Sequence, residues 1–313
     1  MNEVPKYYSL TSSIVIITMD RPTETVRCLR SIILQTRLPE EIIVVDASKQ
    51  TRNLKEQIAK VLKNLPIKFY YLHTAPSTSA QRNIGAQMAH TDVIFFIDDD
   101  VVLDPHHNDA IMKVYETNPK GTIGGVRGNN ISLRPKEPFW RRLMRRIFLL
   151  EEYRPWKPAR MKLSGFASTS DRIRIFSKIE IAPSTCISYW RKIFLKYLFD
   201  TTFDGYILGE DQDLSWRISR KYPIYHTPTA VFSHLPSPRR LKDSFQMTKR
   251  WFYMHRYFFK KNFGKSVIHR LARTWAIIGY ILFFTIDGLR RKNFERLKGL
   301  LSALREPLPD SEI

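Results

Sequence analysis

Asp92-Val-Ile-Phe-Phe-Ile-Asp-Asp-Asp-Val-Val-Leu-Asp-Pro105 is the stretch whose reading decides the fold. Val93 to Ile97 are five apolar residues with no polar residue among them, the pattern of a strand buried on both faces, and such strands belong to parallel sheets covered by helices. The strand ends in Asp98, Asp99 and Asp100. Three adjacent carboxylates raise one another's self-energy unless a positive charge sits among them. A divalent cation such as Mg²⁺ or Mn²⁺ serves this purpose, because it takes one or two carboxylates and fills its other positions with water and phosphate oxygens. In open α/β sheets, ligands bind in the crevice beyond the carboxyl ends of the strands. Taken alone, the stretch also reads as an acidic, solvated turn.

The residues before it favour the first reading. Ser13 to Met19 is a β-branched run that predicts a buried strand, closed by Asp20-Arg21-Pro22. Val26, Leu29, Ile32 and Ile33 recur at helical spacing after Thr23, which reads as the N-cap. Glu41 to Val45 predicts a second strand, ending at Asp46. A helix is expected over Asn53 to Leu65, a strand over Ile67 to Leu72 and a short helix over Ser79 to Ala89 that carries Arg82. This alternation is that of a Rossmann-like α/β unit. Its strands end in Thr18 and Asp20, then Asp46, then the Asp triplet, so polar groups recur where a ligand would lie.

Beyond the triplet, Gly121 to Gly128 reads as a strand and turn, Ser184 to Trp190 as a strand that leads into a helix, and Pro223 to Val231 as a last strand with His234 just beyond it. Gly209 opens a helix whose first turn holds Glu210, Asp211 and Asp213. Capping a helix N-terminus accounts for one acid, not three. Residues 134–178 carry 13 Lys or Arg against 4 acids, interleaved with aromatics, and Leu143, Ile147 and Leu150 give that segment an amphipathic helical pattern. Residues 239–298 carry 16 Lys or Arg against 3 acids, with helices expected over Leu241 to Lys261 and Val267 to Arg291.

The net charge of +21 calls for an anionic partner: nucleic acid, an acidic lipid surface or a phosphorylated substrate. Two cysteines, Cys28 and Cys186, fit neither a disulfide framework nor a Cys-rich zinc site, and imply a reducing compartment. The residues at the start of the sequence lack a secretory pattern, and the uncharged run Trp275 to Ile286 is shorter than the ~18 to 20 apolar residues that span a bilayer. The expected location is the cytoplasm.

Five motifs in order, Ile17 to Pro22, Ile43 to Ser48, Ala80 to Gly85, Phe96 to Asp100 and Gly209 to Leu214, resemble family 2 glycosyltransferases of the GT-A fold, of the kind that build bacterial cell-surface polysaccharide. The resemblance covers residues 12–235. It implies an α/β nucleotide-sugar-binding catalytic domain over residues 1–236, followed by a basic, aromatic-rich helical region over 237–313. It further implies nucleotide-sugar contacts from Thr18, Asp20, Arg21, Asp46, Arg82, Asp98 and Asp99. Asp100, Asp98 and His234 are then the expected ligands of Mn²⁺ or Mg²⁺, and Asp211 the expected general base with Glu210 beside it. Val45-Asp46-Ala47-Ser48 departs from the pattern, since many members have a second acid and a glycine there.

The implied reaction is inverting transfer of a sugar from a nucleotide diphosphate to a hydroxyl of a glycan or lipid-linked acceptor. The basic segments then face an anionic membrane, where each Lys or Arg contributes roughly 1 kcal/mol. The helix around Trp275 to Ile286 suits either the plane of that interface or docking on the catalytic domain. This places the protein at the inner face of the cytoplasmic membrane, with no nucleic acid expected as partner.

Two rival readings remain at this level. Asp98 and Asp100 also fit the nucleophile loop of haloacid-dehalogenase-like phosphatases, although that motif usually opens its domain. A nucleic-acid-binding protein would account for the charge and the aromatics, but not for carboxylates at the ends of several strands. A P-loop is excluded, because Phe259 stands where the first glycine before Gly264-Lys265-Ser266 belongs.

Overall fold

The computed structural model describes residues 10–118, 121–132, 137–202, 208–235 and 244–309. The expected boundary between residues 236 and 237, Arg134, and the expected start of a helix at Leu241 lie outside the described residues.

The first half alternates as its hydrophobic pattern predicts: β1 (Ser12–Thr18), α1 (Pro22–Ile33), β2 (Glu41–Asp46), α2 (Arg52–Leu62), β3 (Lys68–His73), α3 (Thr78–Met88) and β4 (Val93–Asp98). β1 pairs in parallel with β2 and β4, and β2 in parallel with β3. β1 and β2 are buried along their whole length and β4 up to Ile97, as strands covered on both faces must be. β3 is the edge strand and is half-exposed. α3 packs on β1 and β2 through Gly85, where a Cβ would fall 2.4 Å from Val15 Cγ1. Thr23 is not a cap. Arg21 is the N-cap residue of α1 and Pro22 takes the first helical turn, where its missing N–H costs nothing.

The chain then turns through β5 (Val101–Leu103), α4 (His107–Glu116), β6 (Gly125–Asn130) and α5 (Phe139–Ile147). Three short strands follow, β7 (Glu152–Tyr153), β8 (Arg160–Met161) and β9 (Ala167–Thr169), which form a small separate sheet in the order β7-β9-β8. After β10 (Ser177–Ile179) come β11 (Cys186–Trp190), α6 (Arg191–Tyr197), α7 (Glu210–Ser219) and β12 (Ile224–His234). The main sheet runs β10-β12-β6-β11-β4-β1-β2-β3, with β5 attached to β12. β11 is antiparallel to β4, and β12 antiparallel to β5. His234 is therefore the last residue of a strand, paired with Val101, and not a residue beyond it.

α8 (Ser244–Phe263), α9 (Val267–Arg291) and α10 (Glu295–Arg305) enclose a second core built from Phe252, Tyr280, Phe283, Leu300 and Ala303 with Leu150 and Phe166. α10 was not foreseen. The amphipathic face expected of α5 is not a buried one: Leu143 and Ile147 are exposed, and Leu150, beyond the helix end, is buried. α9, 25 residues long with an 18-residue window at a mean hydropathy of 1.3, is long and apolar enough to cross a membrane by length and composition, which the shorter run Trp275 to Ile286 is not. Cys28 and Cys186 are free and buried.

Candidate active site

The register of the parallel strands sets Thr18 beside Asp46 and Ile17 beside Asp98, so three strand ends stop at one level. β11 enters this crevice from the opposite direction, and the Thr185 carbonyl accepts from Asp98 N at 2.9 Å. Gly209, at φ 101°, makes the left-handed turn that starts α7 and sends Glu210 and Asp211 into the same crevice. The cleft is lined by Arg82, Asp98, Asp99, Glu210 and Asp211, joined by Thr78, Ser184, Thr185 and Leu208. The last four were missed in the sequence, since their types carry no signal without the fold.

Arg82, buried on α3, joins the two sides of the cleft. Its Nη2 donates to Asp98 Oδ1 at 2.8 Å and its Nη1 to Glu210 Oε1 at 2.9 Å. The two carboxylates together outweigh the cost of burial and hold its guanidinium more firmly protonated. Glu210 itself is pushed up by burial and by the neighbouring charge of Asp211.

The three acids in the first turn of α7 separate into three tasks. Asp213 pairs with Arg217 at 2.8 Å and Lys261 at 3.1 Å, tying α7 to α8. Glu210 pairs with Arg82. Among the described residues, Asp211 accepts hydrogen bonds from backbone amides alone, from Gln212 at 2.7 Å and Ser184 at 3.3 Å. Burial raises its carboxyl, against the pull of Arg82. A cleft-lining carboxylate with its proton affinity raised can accept a proton from a bound hydroxyl.

The Asp triplet also divides. Asp99 accepts from Arg21 Nη1 at 2.5 Å and Thr18 Oγ1 at 2.8 Å. Its burial nevertheless lifts the carboxyl to about 7, against Arg21 and with the adjacent charge of Asp100. Asp100 faces Arg21 Nη2 at 3.0 Å through Oδ2 and His234 Nε2 at 3.1 Å through Oδ1. Burial alone would raise it, but His234 and Arg21 prevail and bring it down to about 2. The strand pairing of His234 with Val101 is what delivers the imidazole to Asp100.

Asp46 is fully buried and accepts from Ser48 N at 2.8 Å, Ser48 Oγ at 2.5 Å and Tyr71 Oη. Ser48 stands in the segment that departs from the family pattern, and there it clasps Asp46. Asp20, exposed and at φ 53°, shapes the loop after β1 by accepting from Lys49 N at 3.2 Å. Of the expected site residues, Arg82, Asp98, Asp99, Glu210 and Asp211 line the cleft, whereas Thr18, Asp20, Arg21, Asp46, Asp100 and His234 do not.

Among the described residues, no group of three or more His, Cys, Asp or Glu side chains is placed to hold one ion. Mg²⁺ and Mn²⁺ do not require such a group when phosphate and water complete the shell. The carboxylate of Asp100, ionised and beside an imidazole, fits that kind of partial ligand set.

The geometry has counterparts among known proteins. PcManGT, a mannosyltransferase from Pyrobaculum calidifontis solved with GDP-Man and Mn²⁺, superposes with a TM-score of 0.57 at 13% identity, over 95% of this chain and 86% of that one. TarS residues 1–349 from S. aureus give 0.58 at 14% identity, over 94% and 79%. GalNAc-T7, solved with UDP, GalNAc and Mn²⁺, gives 0.59 at 14% identity, over 86% and 54%. These likenesses show the GT-A fold. An uncharacterized glycosyltransferase of Haemophilus influenzae is 29% identical over 107 residues, 34% of this chain and 35% of that protein. YwdF of Bacillus subtilis, also an uncharacterized glycosyltransferase, is 36% identical over 106 residues, 34% and 38% of the two chains. The chain therefore matches little more than a third of the length of either relative. The family description "Glycosyl transferase family 2" matches residues 13–198, from β1 through α6, which is more than half of the sequence. With three βα units ahead of the Asp triplet, the phosphatase reading falls away, and the chain belongs to glycosyl transferase family 2.

Proposed function

We propose that the protein transfers a sugar, with inversion, from a nucleotide diphosphate donor to a hydroxyl of a glycan or lipid-linked acceptor during cell-surface polysaccharide synthesis. The observation that carries this reading is the placement of Asp211. It lines the cleft opposite the ends of β1 and β4, accepts hydrogen bonds from backbone amides alone among the described residues, and has its proton affinity raised by burial.

In this reading Asp211 takes the acceptor's proton as the hydroxyl attacks the anomeric carbon from the face away from the diphosphate. One base and one displacement invert the centre. Glu210, neutralised by Arg82, holds that arginine toward the donor and does not compete as base. Thr18, Asp20, Arg21, Asp46, Asp98 and Asp99 form the nucleotide side, and Asp46 keeps its orientation through Ser48 and Tyr71. Asp100 and His234, with Asp98 nearby, would hold a divalent cation, which as a Lewis acid neutralises charge developing on the leaving diphosphate. The helical region formed by α8, α9 and α10 serves as a basic platform, and the protein works at the inner face of an anionic membrane.

Isothermal titration with UDP-, GDP- and dTDP-sugars, in Mn²⁺ and in EDTA, tests this reading. Metal-dependent binding of one donor is expected, lost in Asp100→Ala and retained in Asp211→Asn. Absence of binding to every donor under both conditions would overturn it.

A further inference from the structure

We propose that α5 and α9 together form a docking face for an anionic membrane, with α9 lying in the plane of the interface. The proposal rests on the membrane-facing part of the reading above and assigns it to one surface. Along α9, Ile268, Leu271, Trp275, Ile278, Leu282 and Leu289 recur every three, four or seven residues and are each 44–67% exposed. The opposite side of the helix is buried in the second core through Ala276, Gly279, Tyr280 and Phe283. A helix packed on one side against its own protein normally turns charge toward water on the other. α9 turns a continuous apolar stripe outward.

α5 extends that stripe. Trp275 Nε1 donates to the Ile147 carbonyl at 2.8 Å, and Phe148 presses on Gly279 so closely that a Cβ there would lie 2.2 Å from Phe148 Cβ. Beside this seam α5 exposes Phe139, Leu143 and Ile147. An exposed apolar strip running across two helices marks an interaction surface.

Charge identifies the occupant. Arg142 and Arg146 on α5, and Arg270, Arg290 and Lys292 at the two ends of α9, are exposed around the stripe. Asp287 is the one acid in either helix, and it is buried against Arg141 and Arg291. Two copies of this face would set cation against cation, whereas an anionic headgroup layer complements it. The uncharged stretch between Arg273 and Asp287, residues 274–286, spans roughly 20 Å, against about 30 Å of hydrocarbon. The whole helix has the length to cross, but the charges that flank this stretch and the side buried in the second core favour lying flat.

The face is also joined to the cleft. Phe166 stacks on His255 at 3.6 Å and meets Tyr280 of α9 at 4.9 Å between ring centroids. Next to it, the Gly165 carbonyl accepts from Gln212 Nε2 at 3.1 Å, one residue from Asp211. A single aromatic layer thus separates α9 from the helix that carries the proposed base, which suits an acceptor carried on lipid.

The test is co-sedimentation of the whole chain with phosphatidylcholine vesicles, with and without phosphatidylglycerol, at low and high salt. Leu271→Glu combined with Leu282→Glu, and Arg142→Glu combined with Arg270→Glu, are compared with Lys63→Glu on a distant exposed turn. Binding that requires phosphatidylglycerol, weakens with salt and falls at least about tenfold in both double variants but not in Lys63→Glu is expected. Failure of the unsubstituted chain to bind anionic vesicles at low salt, or equal binding by all variants, would overturn it. So would resistance of the bound protein to alkaline carbonate, which means spanning, or a dimer in sedimentation analysis that Leu271→Glu with Leu282→Glu dissolves without any vesicle binding. Donor titration on the same variants separates the two readings: intact vesicle binding without donor binding removes only the proposed function, and the converse removes only the membrane face.

Discussion

Arg82 on α3 and Glu210 on α7, 128 residues apart in sequence, meet at 2.9 Å, and the same guanidinium holds Asp98 at 2.8 Å. One buried cation thus joins the end of the central strand to the start of the helix bearing the proposed base. Removing one partner of a buried ion pair costs about 3–5 kcal/mol, because a desolvated charge is left behind. Arg82→Ala is expected to lose stability in that range in urea denaturation. The deficit should shrink at acid pH, where Glu210 takes up a proton and one of the two stranded charges disappears.

Asp211 predicts a pH profile. Its carboxyl is raised by burial and acts as a base only when ionised, so kcat/KM should climb with pH and level off. The midpoint of that acid limb is expected above the ordinary Asp value of about 3.9. Asp211→Asn should lower turnover by about 10²- to 10⁴-fold while leaving donor affinity within a factor of two or so. A rate measurement across pH on both proteins checks this.

Three buried histidines link folding to pH. Burial pushes His107 down to about 4 and holds His226 and His255 well below the usual 6.5. A group whose folded value is depressed contributes its full stability above the unfolded value and loses it as the pH falls. For His107 the loss runs from pH 6.5 to about 4 and amounts to about 3 kcal/mol. Asp99 and Glu210, each raised to about 7, and Asp211, also raised, work in the opposite sense and offset the histidines over this range. In thermal melting, His107→Phe should therefore gain Tm relative to the unsubstituted protein as the pH falls from 6.5 to about 4.

Gly85 lies in the middle of α3 where only a hydrogen fits against Val15. Gly85→Ala is expected to cost about 1–3 kcal/mol by forcing the helix away from β1, more than the helix propensity of alanine returns. Val15→Ala should restore part of that loss in a double-mutant cycle read by chemical denaturation, because it removes the methyl that clashes.

The elements that were legible in the sequence are those whose signal is local. β1, β2 and β4 announce themselves as uninterrupted β-branched or apolar runs, and the end of each is marked by the acid or threonine that follows. Helix α7 was legible from Gly209 and its acidic first turn. What escaped depends on pairing across the chain. Nothing near His234 in sequence shows that β12 would align it with Val101 and so with Asp100. The bond from Ser48 to Asp46 sits inside a recognised motif, yet its role appears only when Tyr71 closes over the other oxygen. Leu143 and Ile147 have the spacing of a buried face and are exposed, because periodicity reports that a helix has an apolar side without saying what covers it.

The pairing of His234 with Val101 has a consequence for the order in which the protein is made. A strand contact across that length of chain closes a long loop, and such contacts form late. On the ribosome the Asp98 to Asp100 cluster emerges well before β12 does. Through that interval Asp100 lacks its imidazole, and the nascent chain carries its most acidic segment without the strand that later completes its surroundings.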